Sequence, residues 1–220
     1  RIESRLVSLD RDVALIPSLA IHMDHGVNSG FAPNRRIDLC PLISSGALEK
    51  EALQLLLANE LDIHPDQILG YDVYLVNRQT PCIWGAADEF ISAPRLDDLM
   101  CAYASAEAFL QSSNDSSVSV YQKYCTDAFS SAVFCAVCNN ASVPFQRFAN
   151  RSDMAGGSTL GNLSNIQASM HGVDVGCAQL AMHSAYETAG ARDVMLAIRA
   201  LLAFFDADIQ ISGADSAVLR

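Results

Sequence analysis

The chain has 220 residues, of which 50% are hydrophobic and 18% are charged. This is the composition of a globular protein and excludes the disordered class. The formal net charge of −11 disfavours nucleic acid as a partner, because a phosphate-binding surface needs clustered Lys and Arg. We expect no membrane partner either, since no apolar run approaches the ~18 residues of a membrane span.

The cysteines bear on the compartment. There are seven, an odd number, and most lie among apolar neighbours, as buried thiols do in a reducing compartment. The charged start of the chain shows no signal-peptide pattern, so we expect a cytoplasmic protein. Cys135 and Cys138 form a C-x-x-C pair in an apolar helical run, which favours core positions over a metal or redox pair.

Residues 1–84 mix strand patterns with one helical pattern. The opening residues alternate like a strand already under way, so we expect that an N-terminal portion is missing. β-Branched and aromatic residues predict strands at 13–16 and 68–76. The leucines of 49–61 predict an amphipathic helix, and Asn, Gly and Pro predict a loop at 22–36.

Residues 85–220 alternate strand and helix patterns, which indicates a mixed α/β fold. The predicted strands are residues 89–93, 143–148 and 173–175. The predicted helices are residues 96–111, a segment capped by Thr126 or Asp127 that runs to 139, and 194–205. The first helix should bury a stripe formed by Leu96, Met100, Tyr103, Ala106 and Leu110. A Ser/Asn-rich stretch at 111–119 is either a surface loop or the point where a longer piece is absent.

Two carboxylates, Asp97 and Asp98, stand where the predicted strand 89–93 meets a helix. Side chains at such a junction can point into a cleft at the sheet edge, where open α/β sheets bind ligands. The alternative is an acid pair that only caps the helix.

Two further segments are candidates for a site. His183, in QLAMHSAYET at 179–188, is either a structural histidine or a ligand, and without an HExxH pattern a helix-borne zinc pair is excluded. Gly156, Gly157, Ser158 and Thr159 offer backbone that can approach a ligand closely. Gly-rich turns are common, and no Lys follows to make this one a phosphate-binding loop.

Together these segments resemble the signatures of the aspartyl aminopeptidases. The resemblance rests on APRLDDL at 93–99, NRSDMAGGSTLG at 150–161, VDVG at 173–176 and QLAMHS at 179–184, with RIESRLV at 1–7 and LAIHMDHGVNSGF at 19–31. It runs in order over nearly the whole chain. It implies an α/β fold in which residues 85–220 are part of a zinc-peptidase-like α/β/α catalytic domain, incomplete here. Residues 1–84 would be an inserted β-rich dimerisation domain.

The resemblance also implies an activity and a set of roles. It predicts a zinc metalloaminopeptidase that removes N-terminal acidic residues, Asp or Glu, from peptides. Asp97 would bridge two zinc ions and His183 would hold one of them. The implied substrate-binding residues are Tyr124, Gly157, Ser158, Thr159 and His22. His22 would reach toward a neighbour's active site in a homo-oligomer that is built from dimers and reaches a dodecamer.

Several parts of that family's metal site are absent from this sequence. The N-terminal segment with the first metal histidine is missing, and so is a glutamate pair, general base and ligand, expected between Val120 and Tyr121. A further aspartate ligand and a lysine ahead of Tyr124 are also missing. We therefore expect no catalytic base in these 220 residues and no activity from them alone. The alternative is a non-catalytic paralogue or shell subunit that has lost the metal site.

Overall fold

The computed structural model describes residues 2–48, 51–113, 126–149, 153, 167, 171–212 and 216–220. The chain divides into two compact units, Arg1–Arg78 and Gln79–Arg220. The boundary between the units, after residue 78, lies before the boundary at residue 84 that the sequence predicts. The difference arises because residues 82–84 form a strand that pairs within the second unit.

The first unit contains short helices and turns. Helix α1 spans Val27–Gly30 and helix α2 spans Ala52–Leu61, followed by a single 3₁₀ turn at Pro65–Gln67. Helix α2 confirms the helix predicted at 49–61, although residues 49 and 50 lie outside the described part of the chain. Leu15 and Leu42 exchange backbone hydrogen bonds with N–O distances of 3.0 and 2.7 Å, which form one isolated bridge.

The two strands predicted in this unit are wrong. Leu15 makes only the bridge to Leu42, and residues 68–76 have no regular secondary structure. The large apolar side chains of that segment from Leu69 onward, including Tyr74, are exposed. β-Branched and aromatic residues favour a strand only when a neighbouring strand and an opposing face receive them, and the described residues provide neither here.

The second unit is built on a four-stranded antiparallel sheet. Its strands are β1 Cys82–Trp84, β2 Phe90–Ala93, β3 Gln179–Leu180 and β4 Glu187–Gly190, in the order β1-β2-β4-β3. Its helices with described bounds are α3 Leu96–Gln111, α4 Ala128–Asn140 and α5 Asp193–Asp206. A separate hairpin joins β5 Ile209–Ser212 to β6 Ser216–Leu219. This combination of sheet and helices is the α/β class expected from the sequence.

Local signals located the helices of this unit well. Helices α3, α4 and α5 confirm the three predicted segments, and Asp127 caps α4 by accepting a 2.6 Å hydrogen bond from the Ser130 N–H at Oδ1. The strand predicted at 89–93 is β2. The strands predicted at 143–148 and 173–175 are wrong, since neither segment pairs with another strand in the described structure. Short apolar runs do not distinguish a buried strand from an apolar loop.

The described core consists of two clusters around the helices. One joins Ala93, Leu96, Met100 and Ala189 where α3 meets the sheet. The other joins Cys138, Val143 and Ala200, between α4 and α5. Among the described residues, no helix has both the length and the apolar character needed to cross a bilayer.

Candidate metal centre

The site lies at one edge of the four-stranded sheet, where β2 and β3 end and β4 begins. In the antiparallel register Ala93 pairs with Glu187, and Leu180 pairs with Thr188. Since β2 and β3 both run opposite to the strand between them, their carboxyl ends lie side by side. Residues that follow either strand are therefore brought to the same place, although they are far apart in the sequence.

Asp97 and His183 meet at this edge. Asp97 follows β2 at the start of α3, and His183 follows β3. His183 Nε2 lies 2.8 Å from Asp97 Oδ2, and the side chains are 76% and 31% exposed, respectively. The pair is therefore open to solvent on the histidine side and supported by protein on the aspartate side. The juxtaposition expected from the sequence is present.

The backbone around the pair is unusual. His183 has φ 69° and Arg95 has φ 61°, both in the left-handed region, which costs a non-glycine residue on the order of 1 kcal/mol or more. Asp97 has φ −83° and ψ 116°, outside the helical range, and the peptide bond between Asp97 and Asp98 is cis. The left-handed conformations of Arg95 and His183 persist only where the surrounding contacts hold them.

Glu187, the first residue of β4, supplies such contacts. Glu187 is only 1% exposed. Glu187 Oε2 accepts a hydrogen bond from the Asp97 backbone N–H at 2.9 Å, and Oε1 accepts one from the His183 backbone N–H at 2.6 Å. One buried carboxylate thus holds the backbone of both members of the pair. Glu187 was not predicted from the sequence as a site residue, although it lies four positions after His183 in the segment 179–188.

The chemistry of the pair fits part of a zinc site. A carboxylate oxygen and an imidazole nitrogen are both donors that zinc takes in proteins. Two donors of one tetrahedral zinc ion, each about 2.1 Å from the metal, lie about 3.4 Å apart. At 2.8 Å the donors instead contact each other, and the exposed imidazole has room to move outward. Among the described residues, no group of three or more His, Cys, Asp or Glu side chains is placed to hold a metal, so the pair alone supplies fewer donors than a zinc site needs.

The predicted substrate-binding residues lie either in the first unit or outside the described residues. His22 lies in an exposed turn of the first unit, where the Met23 and Asp24 N–H groups donate to the Ala20 carbonyl. Tyr124, Gly157, Ser158 and Thr159 lie outside the described residues. Asp98 is exposed on α3 and takes no part in the Asp97–His183 contact. The roles of these residues in substrate binding stay predictions.

The thiols near the site and in the core are free. The six cysteines of the described chain form no disulfide. Cys101, one turn after Asp97 on α3, has its pKa lowered to about 6 by a hydrogen bond from the Cys177 thiol. In the C-x-x-C pair, Cys138 is buried and burial raises the pKa of its thiol. The core interpretation of that pair is confirmed for Cys138.

The fold and this edge define an α/β protein with a candidate metal site at the carboxyl ends of two strands. A family model described as "Aminopeptidase I zinc metalloprotease (M18)" matches residues 1–120 and 116–205. The chain belongs to this family, which agrees with the aspartyl aminopeptidase resemblance of its motifs.

Relatives and solved structures agree with this assignment. The "Probable M18 family aminopeptidase 2" of Clostridium novyi is 28% identical, over 93% of this chain and 67% of the relative. A crystal structure titled prApe1 superposes with a TM-score of 0.73 at 19% identity, covering 93% of this chain and 65% of that one. The S. cerevisiae mApe1 dodecamer gives 0.64 at 17% identity, covering 93% and 65%. At these identities the solved structures show the fold, and this chain spans about two thirds of each protein's length.

The alignment with the Clostridium novyi relative also shows internal differences. It extends over 291 residues but takes in only 93% of a 220-residue chain, so the relative has positions without a counterpart here. The two family matches meet at residues 116–120. That is beside Val120 and Tyr121, between which the motif comparison expects a glutamate pair.

Proposed function

We propose that this chain is part of a zinc metalloaminopeptidase that removes N-terminal acidic residues, Asp or Glu, from peptides. The observation that carries the proposal is the 2.8 Å contact between Asp97 Oδ2 and His183 Nε2 at the carboxyl ends of β2 and β3. The contact brings two zinc-type donors together in a member of a zinc metalloprotease family. The acidic preference rests on the motif resemblance.

Each member of the pair has a distinct role in this proposal. Asp97 has two carboxylate oxygens and can bridge two zinc ions, whereas His183 offers one ring nitrogen and holds one of them. When bound, zinc supplies Lewis acidity that polarises a scissile carbonyl and lowers the pKa of water. The general base is a glutamate outside these 220 residues. Tyr124, Gly157, Ser158, Thr159 and His22 are proposed to contact the peptide.

We also propose a cytoplasmic homo-oligomer built from dimers. Free cysteines, two of them exposed, suit a reducing compartment. The exposed apolar segment at 68–76 is of the kind that another protein surface covers. The mApe1 relative is described as a dodecamer. Residues 1–84 are the proposed dimerisation region.

The proposal is tested with His183→Ala in the full-length gene product. Groups that hydrogen-bond to metal ligands contribute about 10–100-fold to metal affinity or activity. Removal of a ligand should therefore lower both zinc affinity and turnover of an aspartyl or glutamyl anilide by roughly 100-fold or more. Asp97→Asn should be more damaging, because a neutral amide cannot bridge two cations. Zinc content by atomic spectroscopy and initial rates measure the two effects.

His171→Ala is the matched control, since it removes a partly exposed histidine of the same unit that lies near Asp127 rather than Asp97. It should leave zinc content and rate unchanged. If His183→Ala also leaves both unchanged, the ligand assignment is wrong. The 220 residues on their own should bind zinc weakly and hydrolyse no anilide, because the remaining ligands and the base are absent.

A second candidate is a non-catalytic paralogue or shell subunit with the same fold. It is favoured by the break in the family match at residues 116–120, where the expected glutamate pair is missing. The two candidates differ in the encoded sequence at that point and in activity. A full-length product that binds no zinc and is inert on every aminoacyl anilide would establish the second candidate.

A further inference from the structure

We propose that Glu187 is a positioning residue of the metal centre, whose buried carboxylate fixes the backbones that carry Asp97 and His183. The inference rests on the proposed function, because it assigns a role toward the zinc ligands. It concerns a residue that is not itself a donor to the metal: both carboxylate oxygens are occupied by backbone N–H groups.

The burial of Glu187 requires an explanation. The residue is 1% exposed, and moving an ionised carboxylate out of water is strongly unfavourable unless hydrogen bonds replace its hydration. In the described part of the chain, its side chain makes no ion pair, and its hydrogen bonds go to the Asp97 and His183 amides. Hydrogen bonds to an ionised acceptor are about twice as strong as neutral ones. The buried carboxylate is therefore stabilised by the backbone amides of the two candidate ligands.

At Asp97, Glu187 caps the start of helix α3 from a strand that is distant in the sequence. Asp97 is the second residue of α3. The side chain of the N-cap residue, Arg95, accepts no hydrogen bond from the first turn. Amides of the first turn lack intrahelical partners. Glu187 Oε2 satisfies the Asp97 amide from the start of β4, so the position of Asp97 depends on the sheet.

The His183 end holds a turn that has no regular secondary structure. His183 lies between β3 and β4 with a left-handed backbone, and its imidazole is largely exposed. Besides the contact of its imidazole with Asp97, the 2.6 Å bond from its amide to Glu187 Oε1 restrains its backbone. Because one rigid carboxylate serves both amides, the separation of the two ligand backbones is set by Glu187.

Glu187→Gln in the full-length protein separates positioning from packing. The amide has almost the volume of the carboxylate, but it has one acceptor oxygen, and its NH₂ group would face the second N–H. We expect zinc affinity, measured by competition with a chromophoric chelator, to fall about 10–100-fold. In metal-free protein, hydrogen exchange at the Asp97 and His183 amides should accelerate about tenfold or more, since a lost hydrogen bond exposes them. Glu187→Asp, which keeps the charge but is one methylene shorter, should also weaken zinc binding.

Thr188→Val is the control, because it removes the neighbouring hydroxyl of β4, which contacts Ser92 Oγ at 2.7 Å rather than either ligand. It should change neither zinc affinity nor exchange at the two amides. Wild-type zinc affinity in Glu187→Gln would show that only the side-chain volume matters and would overturn the proposal. So would an unprotected His183 amide in the unmodified protein, a measurement that needs no variant. If the wild type binds no zinc while the two amides are protected through Glu187, the proposed function fails and the positioning of the two backbones stands.

Discussion

Single side chains determine where elements of this protein begin, and Asp127, one of two cap candidates in the sequence, is an example. Its Oδ1 accepts the Ser130 N–H at the start of α4. This backbone hydrogen bond, with a further contribution from His171, lowers the pKa of the Asp127 carboxyl below its ordinary value. The ionised form is therefore favoured by folding, and it stabilises the folded protein at neutral pH.

The pH dependence of this cap follows from the direction of the shift. A carboxyl with a lowered folded pKa contributes stability above its unfolded pKa, about 3.9, and loses it as the pH falls through the lower folded value. Asp127→Ala should be less stable than wild type at pH 7, and the difference should shrink below pH 4. Urea unfolding across this range measures it. Asp127→Asn keeps a capping oxygen without the titration, so its stability should depend less on pH. A wild-type advantage over Asp127→Ala that is the same at pH 7 and pH 3 would contradict the assignment.

Glu187 belongs to the same scale but could not be recognised in the same way. An N-cap acts on residues two or three positions further along, so spacing reveals it. Glu187 acts on Asp97, which is remote in sequence, through the pairing of β2 with β4. A glutamate at the start of a strand has no local pattern that indicates a buried bridge.

At the scale of elements, helix α3 shows how a correct helix can present a different face from the predicted one. Leu96 and Met100 are buried as predicted, but the buried positions then continue with Ala104 and Ala108, which are fully inaccessible. Tyr103 and Leu110, predicted on the stripe, are exposed. Helix α5 packs along α3, and the small alanines allow that close approach. Apolarity alone favoured the larger residues, so this part of the predicted stripe is wrong.

The packing of α3 against its neighbours gives a stability prediction. Ala108→Leu adds three carbons at a site with no accessible surface, and overpacking of this kind costs about 1–3 kcal/mol. The same change at Ala106, which is exposed on α3, should stay within about 0.5 kcal/mol of wild type. Chemical denaturation of both variants measures the difference. Equal stabilities would mean that position 108 has more free space than the structure indicates.

At the scale of the whole molecule, the first unit leaves a run of large apolar side chains exposed between residues 69 and 76. Leu69 and Tyr74 in the first unit are 79% and 82% exposed, within a segment rich in strand-forming residues. The proposed homo-oligomer would cover this surface.

This surface predicts the oligomeric state. Light scattering on the full-length protein should give a mass of at least two chains, and Tyr74→Asp should shift the mass toward the monomer because a buried charge opposes association. Leu110→Asp places the same charge at an exposed apolar position of the second unit and should leave the mass unchanged. A strictly monomeric wild type would rule out the dimerisation role of residues 1–84.

The sequence by itself determined helices α2 to α5, two candidates for the α4 cap, the α/β class and, through motif resemblance, the family and the Asp97 and His183 candidates. These features depend on neighbours within a few positions or on long motifs, and both are readable along a single chain. The tertiary structure decided which apolar runs pair as strands, which face of α3 is buried, and that Glu187 joins the backbones of Asp97 and His183. Those outcomes depend on contacts between residues far apart in the chain. The antiparallel register of β2, β4 and β3 creates them, and no local spacing encodes that register.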